Sequence, residues 1–216
     1  MMTIDCCGES LELLAQRAIY WRRQEALIVA DLHLGKAMHF RKAGIAVPAE
    51  INQENLRQLQ KLITWYAPRQ VIMLGDLFHS DVNHQVEEWY VWRKQFPGLA
   101  FHLVKGNHDV LAEAHYERLG IQLHHQLHLH PFCMVHALDE SMEKHKAYLL
   151  TGHVHPCVRI KGKAKQSAVL PCFYFAESYA ILPAFGRFTG RYFIRRGMHA
   201  KVFAILGEEV MPVPVD

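Results

Sequence analysis

The sequence predicts an α/β fold, an α+β sandwich in which two packed mixed β-sheets are flanked by helices. In the first half of the 216-residue chain, apolar runs of strand length alternate with segments of helical periodicity. This order favours right-handed crossovers and a mainly parallel sheet. In the second half, glycine and proline separate short strand-like runs, which indicates a second, largely antiparallel sheet packed on the first. The length fits a single domain over residues 1–216.

Strands and helices alternate in the order βαβαβα through the first half. Residues 26–30 are a continuous apolar run, as expected of a buried parallel strand. Residues 49–66 are predicted to be helical, because Leu56, Leu59 and Leu62 recur at helical spacing and Pro68 follows. The next predicted elements are a strand at Gln70–Leu74, a helix at 83–96, a strand at Ala100–Val104 and a helix at Val110–Leu119.

The second half is predicted to consist of short strands. Gly162, Pro171, Pro183, Gly186 and Gly190 punctuate it, so turns are expected between the runs. The predicted strands are Leu127–His130, Phe132–His136, Tyr148–Thr151, Cys157–Ile160, Ser167–Phe175, Tyr179–Leu182, Tyr192–Ile194 and Lys201–Ile205.

The composition excludes several classes of protein. Half of the residues are hydrophobic, so the chain can bury a large core and does not have a disordered composition. The net charge of +3 does not by itself indicate nucleic-acid binding. No apolar stretch approaches the ~20 residues that span a bilayer, so no membrane partner is expected. The five cysteines form no CxxC pair and no regular disulfide framework, which predicts a reducing, cytoplasmic location.

Five apolar runs each end in a residue or cluster that can bind a metal. The carboxyl ends of the strands form the ligand-binding edge of an α/β sheet, so these side chains are expected to meet. A single histidine would be an ordinary core or loop residue, but five clusters in order indicate a metal centre. Nitrogen and oxygen ligands without sulfur suit Mn, Fe, Zn, Co or Ni. The motifs are Asp31-Leu32-His33, Gly75-Asp76, Gly106-Asn107-His108-Asp109, His136 and Gly152-His153-Val154-His155.

These motifs, in this order from about residue 27 to 156, resemble the calcineurin-like metallophosphoesterases. The resemblance implies two divalent metal ions, with Mn²⁺ as the expected ion. It implies that one ion is held by Asp31, His33, Asp76 and His155, and the other by Asp76, Asn107, His136 and His153. It also implies that His108 donates a proton or stabilises charge near the leaving group, and that Asp109 orients it.

One position departs from the family pattern. Relatives often have glycine after the lone ligand histidine, whereas Ala137 follows His136 here. The nearby His128 and His130 are therefore alternative ligands at this position.

A second resemblance concerns a smaller group within the family. The stretch Asp31-Leu32-His33-Leu34-Gly35-Lys36, with residues 40–48 (FRKAGIAVP), is similar to the bacterial ligase-associated DNA-damage-response endonucleases of the PdeM subgroup. This similarity implies a DNA substrate, a role in DNA repair, and DNA-repair proteins such as a ligase as partners.

The implied reaction is hydrolysis of a phosphodiester by a metal-activated hydroxide. Hydroxide would attack phosphorus in line with the leaving oxygen, and His108 would assist departure. The alternatives are a phosphatase or pyrophosphatase acting on a nucleotide or other small phosphoester, and a non-catalytic scaffold of the same fold.

Basic residues near the metal motifs are candidates for substrate binding. Such side chains can bind phosphate backbones, although lysines in a loop are also commonly just solvated. The candidates are Lys36, His39, Arg41 and Lys42 after the first motif, and Lys161, Lys163 and Lys165 after the last, with a further group at Arg191, Arg195 and Arg196. Phe173, Tyr174, Phe175 and Tyr179 could stack nucleobases, but strand packing is the simpler interpretation.

Overall fold

The computed structural model describes residues 1–36, 51–78, 84–139, 146–162, 166–187, 189–194 and 199–214. Two β-sheets of seven and nine strands face each other within these ranges, and three α-helices accompany the first sheet. The helices are α1 (Ile51–Tyr66), α2 (His84–Arg93) and α3 (Glu113–Arg118). None of the helices in the described ranges is both long and apolar enough to cross a membrane.

The first sheet has its strands in sequence order. Its first four strands are antiparallel, and its last four are parallel. The strands are β1 (Met2–Cys6), β2 (Glu9–Leu14), β3 (Ala18–Trp21), β4 (Ala26–Ala30), β5 (Gln70–Leu74), β6 (Ala100–Val104) and β7 (Gln122–His124).

The second sheet is mixed. The strands are β8 (Leu127–Leu129), β9 (Phe132–Met134), β10 (Tyr148–Thr151), β11 (Pro156–Lys161), β12 (Ser167–Phe175), β13 (Tyr179–Ile181), β14 (Tyr192–Phe193), β15 (Lys201–Leu206) and β16 (Glu209–Val213). Their order is β14-β11-β12-β13-β10-β9-β8, with β15 paired to β12 and β16 paired to β15. The parallel pairs are β9 with β10, β10 with β13, and β11 with β14.

The residues of β4 show why the central strands are continuously apolar. All five are buried, because both faces of the strand are covered. Leu27 and Val29 pack in the cluster formed with the helices, whereas Ile28 and Ala30 pack in the cluster between the two sheets. The same alternation sends Phe173 of β12 into the inter-sheet core, as the packing interpretation predicted.

The predicted strands at 26–30, 70–74, 100–104, 148–151 and 167–175 are confirmed. The predicted helix at 83–96 ends earlier, at Arg93, because the amides of Gln95 and Phe96 close three-residue turns onto Trp92 and Arg93. The helix predicted from Val110 begins at Glu113, because the amide of Val110 bonds the His108 carbonyl in a tight turn. Residues 49, 50 and 83 lie outside the described ranges.

The N-terminal strands β1, β2 and β3 were not predicted, and they make the first sheet mixed rather than mainly parallel. They are joined by tight turns, the first of which uses Cys7 and Gly8 at φ 55° and 78°. Consecutive strands joined by such turns pair antiparallel. Polar residues interrupt β1 and β2, so these strands lack the continuous apolar runs from which the other strands were predicted.

Candidate metal centre

The carboxyl ends of neighbouring strands bring the predicted motifs together. In the first sheet, β4, β5 and β6 run parallel, so the residues that follow them lie at one edge. In the second sheet, β9 and β10 also run parallel. The residues that follow these strands are Asp31 and His33 after β4, Asp76 after β5, Asn107 after β6, His136 after β9, and His153 and His155 after β10. They form two groups, and within each group the candidate ligand atoms of the aspartate and the two histidines lie within 4.8 Å of one another.

The first group consists of Asp31, His33 and His155. His155 Nε2 is 3.4 Å from His33 Nε2 and 3.7 Å from Asp31 Oδ1. The backbone amide of His153 donates to Asp31 Oδ2 at 2.9 Å and so orients the carboxylate. Asp31 Oδ1 is buried and has no hydrogen-bond partner among the described residues. A buried carboxylate oxygen is costly unless a donor or cation faces it, so this group fits a metal ion.

The second group consists of Asp76, His136 and His153. His136 Nε2 is 3.1 Å from His153 Nδ1 and 3.5 Å from Asp76 Oδ1. The side-chain oxygen of Asn107 is 3.0 Å from the same nitrogen. His153 and Asn107 are exposed, whereas Asp76 and His136 are buried, so this group opens to solvent on one side. Nitrogen and oxygen atoms converging from four side chains suit a divalent cation.

Asp76 faces both groups. Its Oδ2 lies 3.8 Å from His33 Nε2 in the first group, and its Oδ1 lies 3.5 Å from His136 Nε2 in the second. The backbone amide of His108 donates to Oδ1 at 3.0 Å. One carboxylate therefore presents one oxygen to each group, which is the arrangement that a bridging ligand needs.

The surroundings of His136 give its two ring nitrogens different roles. Nδ1 lies 3.0 Å from the Leu74 carbonyl oxygen, which can only accept, so Nδ1 carries the proton. Nε2 is left to face the other members of the second group, and the Nδ1 bond holds the ring in place. His128 and His130 are exposed and lie outside both groups, with His128 Nε2 3.7 Å from Cys133 Sγ. The geometry thus favours His136 over either alternative.

The site stores backbone strain. Nine non-glycine residues of the described chain have positive φ, and five of them are candidate ligands. Such conformations cost ~1–3 kcal/mol each and persist where the surrounding structure holds them. The five are Asp31, His33, Asp76, His153 and His155. Gly75 is needed next to them, because it has φ 77° and a β-carbon there would lie 2.0 Å from His136 Nδ1.

Asp109 braces the loops beneath the site. Its Oδ2 accepts from the amide of Gly106 at 2.9 Å, and its Oδ1 accepts from the amides of Leu77 and Phe78 at 3.0 and 3.4 Å. Burial raises the pKa of this carboxyl to about 6, although the amide hydrogen bonds act in the opposite direction. The carboxylate thus ties the loop after β6 to the loop after β5. Its predicted role in orienting His108 stays a prediction.

His108 lies beside the first group. Its side chain is half-buried, and its ring centroid is 5.7 Å from that of His33. Its backbone is anchored by the bond to Asp76 described above. Its predicted role near the leaving group stays a prediction.

A loop that was not predicted to belong to the site holds the backbone of Asp31 in place. The amide of Phe185 donates to the Ala30 carbonyl at 2.7 Å, and that of Gly186 donates to the Asp31 carbonyl at 3.1 Å. A β-carbon on Gly186 would lie 2.6 Å from the Leu32 carbonyl oxygen. The short segment 184–186 therefore packs directly against the strained backbone of the first motif. Glycine at position 186 was interpreted only as a turn signal.

Lys36 and Arg191 are the predicted substrate-binding residues whose side chains are described, and Lys36 lies next to the first metal motif. It is half-buried, and its backbone amide donates to the His33 carbonyl at 3.2 Å. Burial lowers the pKa of its ammonium group, and the carboxylates of Asp76 and Asp31 act in the opposite direction. The ammonium group is therefore within electrostatic reach of both carboxylates. The candidates that lie outside the described residues are His39, Arg41, Lys42, Lys163, Lys165, Arg195 and Arg196.

Lys161 ends β11, and His155 immediately precedes the first residue of that strand. At ~3.3 Å per residue, a six-residue strand carries Lys161 roughly 16 Å away from the ligand turn. The side chain of Lys161 and all of Lys163 and Lys165 lie outside the described residues, so their contact with substrate stays a prediction.

Comparison with known proteins agrees with this geometry. The model of the Calcineurin-like phosphoesterase family matches residues 26–208. The chain belongs to this family. It is also similar to the crystal structure of Pseudomonas putida nuclease MPE, with 31% identity, a TM-score of 0.82, and coverage of 98% of this chain and 99% of that one. The phosphoesterase Yfce from E. coli is a more distant neighbour, with 12% identity, a TM-score of 0.41, and coverage of 88% and 99%. Comparison with curated protein sequences found no match.

As a calcineurin-like phosphoesterase, the chain is a metal-dependent hydrolase with the two-sheet fold of that family. The expected family and fold are thus confirmed, and so is the resemblance to the nuclease-containing branch of the family. The two groups of side chains are the candidate positions for its divalent metals. The assignment of each ligand and of His108 stays a proposal, and so does the identity of the metal.

Proposed function

We propose that this calcineurin-like phosphoesterase uses two metal ions to hydrolyse phosphodiester bonds in nucleic acid, and DNA in particular. The observation that carries the two-metal proposal is Asp76, whose two carboxylate oxygens face the two groups separately. The nucleic-acid substrate is supported by similarity along nearly the whole chain to a nuclease of Pseudomonas putida.

The chain offers a distinct ligand set for each metal. Asp31, His33, His155 and Asp76 would hold one ion, and Asp76, Asn107, His136 and His153 would hold the other. Mn²⁺ is proposed for both positions, and the nitrogen and oxygen donors without sulfur also suit Fe, Zn, Co or Ni. When bound, the cations supply positive charge to phosphate oxygens and lower the pKa of water.

The remaining residues would position the substrate and assist the leaving group. Lys36 would contribute a positive charge next to the phosphate, because its ammonium is within electrostatic reach of the two carboxylates. His108 would donate a proton to the departing oxygen, or stabilise its charge, from its half-buried position beside the first group. Asp109 would hold the loops that carry Asp76 and Asn107 in a fixed position relative to each other.

A role in DNA repair, with a ligase among the partner proteins, is part of the proposal. It is supported by the resemblance of residues 31–36 and 40–48 to the ligase-associated endonucleases. The cytoplasmic location inferred from the cysteine pattern stays a prediction.

One comparison of substrates tests the proposed function. Protein loaded with Mn²⁺ is assayed on single-stranded, duplex and nicked DNA, beside bis(nitrophenyl) phosphate, nitrophenyl phosphate and a nucleoside triphosphate. We expect cleavage of at least one DNA form and of the small diester, with weaker hydrolysis of the monoester. Asp76→Asn protein prepared in the same way controls for contaminating nucleases. Efficient hydrolysis of the nucleotide or monoester with no DNA cleavage would support a small-phosphoester phosphatase instead.

A further inference from the structure

A small cavity beside the metal centre is lined by three arginines. The cavity, of about 60 Å³, is bounded by Arg17, Arg187 and Arg191 and by the candidate metal ligand His155. We call it the arginine pocket. A cavity of this size can hold a group larger than a single water molecule, such as a phosphate group.

The charges of Arg187 and Arg191 are close enough to the Arg17 guanidinium to affect it. Burial lowers the pKa of Arg17, and the charges of Arg187 and Arg191 lower it further. Nη1 of Arg17 donates to the carbonyls of Ala184 and Gly186, at 3.2 Å each, so its position is fixed. Three like charges in one partly buried pocket repel one another, which is unfavourable unless an anion is also bound there.

Few carboxylates balance these charges. Arg187 pairs with Glu54 at 3.1 Å, on a surface where both side chains are largely exposed. Within the described ranges, no carboxylate pairs with Arg17 or Arg191. The pocket therefore keeps a net positive charge, and arginine is the residue whose planar group best matches phosphate oxygens.

His155 connects the pocket to the metal centre. Its Nε2 faces Asp31 and His33, while the residue itself forms part of the pocket wall. The amide of Tyr192, next to Arg191, donates to the His155 carbonyl at 3.1 Å. His155 thus belongs both to the wall of the pocket and to the first group of candidate ligands. A phosphate in the pocket would be a near neighbour of a phosphodiester bound at the metals.

We propose that the arginine pocket binds the phosphate that neighbours the scissile phosphodiester in a nucleic acid strand. The proposal rests on the proposed nuclease function. In this proposal, the three arginines Arg17, Arg187 and Arg191 distinguish a nucleic acid strand from an isolated phosphodiester. A small diester has no second phosphate and would leave the pocket without its anion.

The test compares dinucleotides that differ by one terminal phosphate. A dithymidine phosphodiester is used bare, with a 5′-phosphate, or with a 3′-phosphate. Each is measured as an inhibitor of bis(nitrophenyl) phosphate hydrolysis by the metal-loaded protein. We expect one of the two terminal phosphates to lower the inhibition constant by roughly ten- to a hundredfold, the range for hydrogen bonds to charged groups.

The same ratio is then measured in variants. Arg187→Gln/Arg191→Gln should reduce the gain from the terminal phosphate to less than about threefold. Arg17 is kept, because it also holds the carbonyls of segment 184–186. Arg191→Gln alone covers the case in which the double variant does not fold. Arg118→Gln, an exposed arginine at the end of α3, removes one charge outside the pocket and should keep the full gain.

Equilibrium binding gives a second readout. With a labelled thymidine strand, the slope of log Kd against log salt should be shallower in the double variant than in Arg118→Gln, because fewer counterions are released. Inorganic phosphate is the competing probe. If it binds as tightly as the phosphorylated dinucleotide and in an arginine-dependent way, the pocket is a free-phosphate site and the assignment to a strand is overturned.

The outcomes separate this proposal from the nuclease proposal. If the wild type cuts DNA but neither terminal phosphate improves binding, the pocket assignment fails and the nuclease function stands. A gain that survives in the arginine variants also refutes the assignment. If no DNA form is cut and no dinucleotide inhibits, while the small diester is hydrolysed, the nucleic-acid function itself fails.

Discussion

Replacing Gly75 by alanine should disconnect the second group of candidate ligands without unfolding the protein. Gly75 has φ 77°, and a β-carbon there would lie 2.0 Å from His136 Nδ1 and 2.5 Å from its Cγ. Ordinary contacts begin near 3.4 Å, so the imidazole has to retreat by more than 1 Å. The retreat also breaks the 3.0 Å bond from Nδ1 to the Leu74 carbonyl.

Two effects contribute to the expected result. The left-handed backbone costs alanine about 1 kcal/mol, which corresponds to ~2–4 °C in Tm for a chain of this size. The displaced imidazole no longer points Nε2 at Asp76 and Asn107. Since a misplacement of ~1 Å can reduce a rate by about a hundredfold, kcat/KM for a small diester should fall by at least that factor. One of two bound metal equivalents should also be lost.

Gly8→Ala is the matched control. Gly8 has φ 78°, nearly the same as Gly75, but a β-carbon there meets nothing within 4 Å. The Tm values of the two variants in the presence of a chelator compare their stabilities without bound metal. Elemental analysis after dialysis counts the bound metal ions. We expect Gly8→Ala to lose a few degrees in Tm while keeping both metals and its activity. Two retained metals with near-normal activity in Gly75→Ala, or equal activity losses in both variants, would contradict the reasoning.

Three further predictions follow from the site. Asp76→Asn should reduce the occupancy of both metal positions and remove nearly all turnover, because each oxygen serves one group; two retained equivalents with normal hydrolysis would exclude the bridging role. His108→Ala should keep its metals but lose turnover, least for nitrophenyl esters, whose leaving group needs little protonation. An equal loss across leaving groups would leave only charge stabilisation. Neutralising Lys161, Lys163 and Lys165 together should weaken the binding of long DNA and reduce its salt dependence. Hydrolysis of a small diester should change far less. If the triple variant binds DNA as tightly as the wild type, these lysines are only solvated.

The central strands and the order of the ligand motifs were predictable, because both depend on local sequence. A strand buried on both faces is largely apolar, so β4, β5 and β6 appear as mostly apolar runs of five residues. The N-terminal strands β1 and β2 were not predictable in this way, because polar residues interrupt them. The ends of α2 and α3 depend on three-residue turns and on the tight turn at Val110, which apolar spacing does not reveal.

The choice among histidines required the fold. His128, His130 and His136 are close in sequence, and only His136 follows β9 at the edge where the Leu74 carbonyl fixes its Nδ1 proton. The distance of Lys161 from the metal centre likewise depends on the direction of β11. Spacing along the chain does not contain either fact.

The sequence by itself determined the family and the candidate metal ligands, because metal binding restricts residue type and strand ends restrict spacing. Only the tertiary structure decided how these residues are divided between the two groups and which segments hold them in place. It gave each oxygen of Asp76 its own group, and it placed segment 184–186 beneath Asp31. It also brought Arg17 next to Arg187, 170 positions further along the chain. Contacts between residues so far apart arise from the packing of the two sheets, and no local pattern records them.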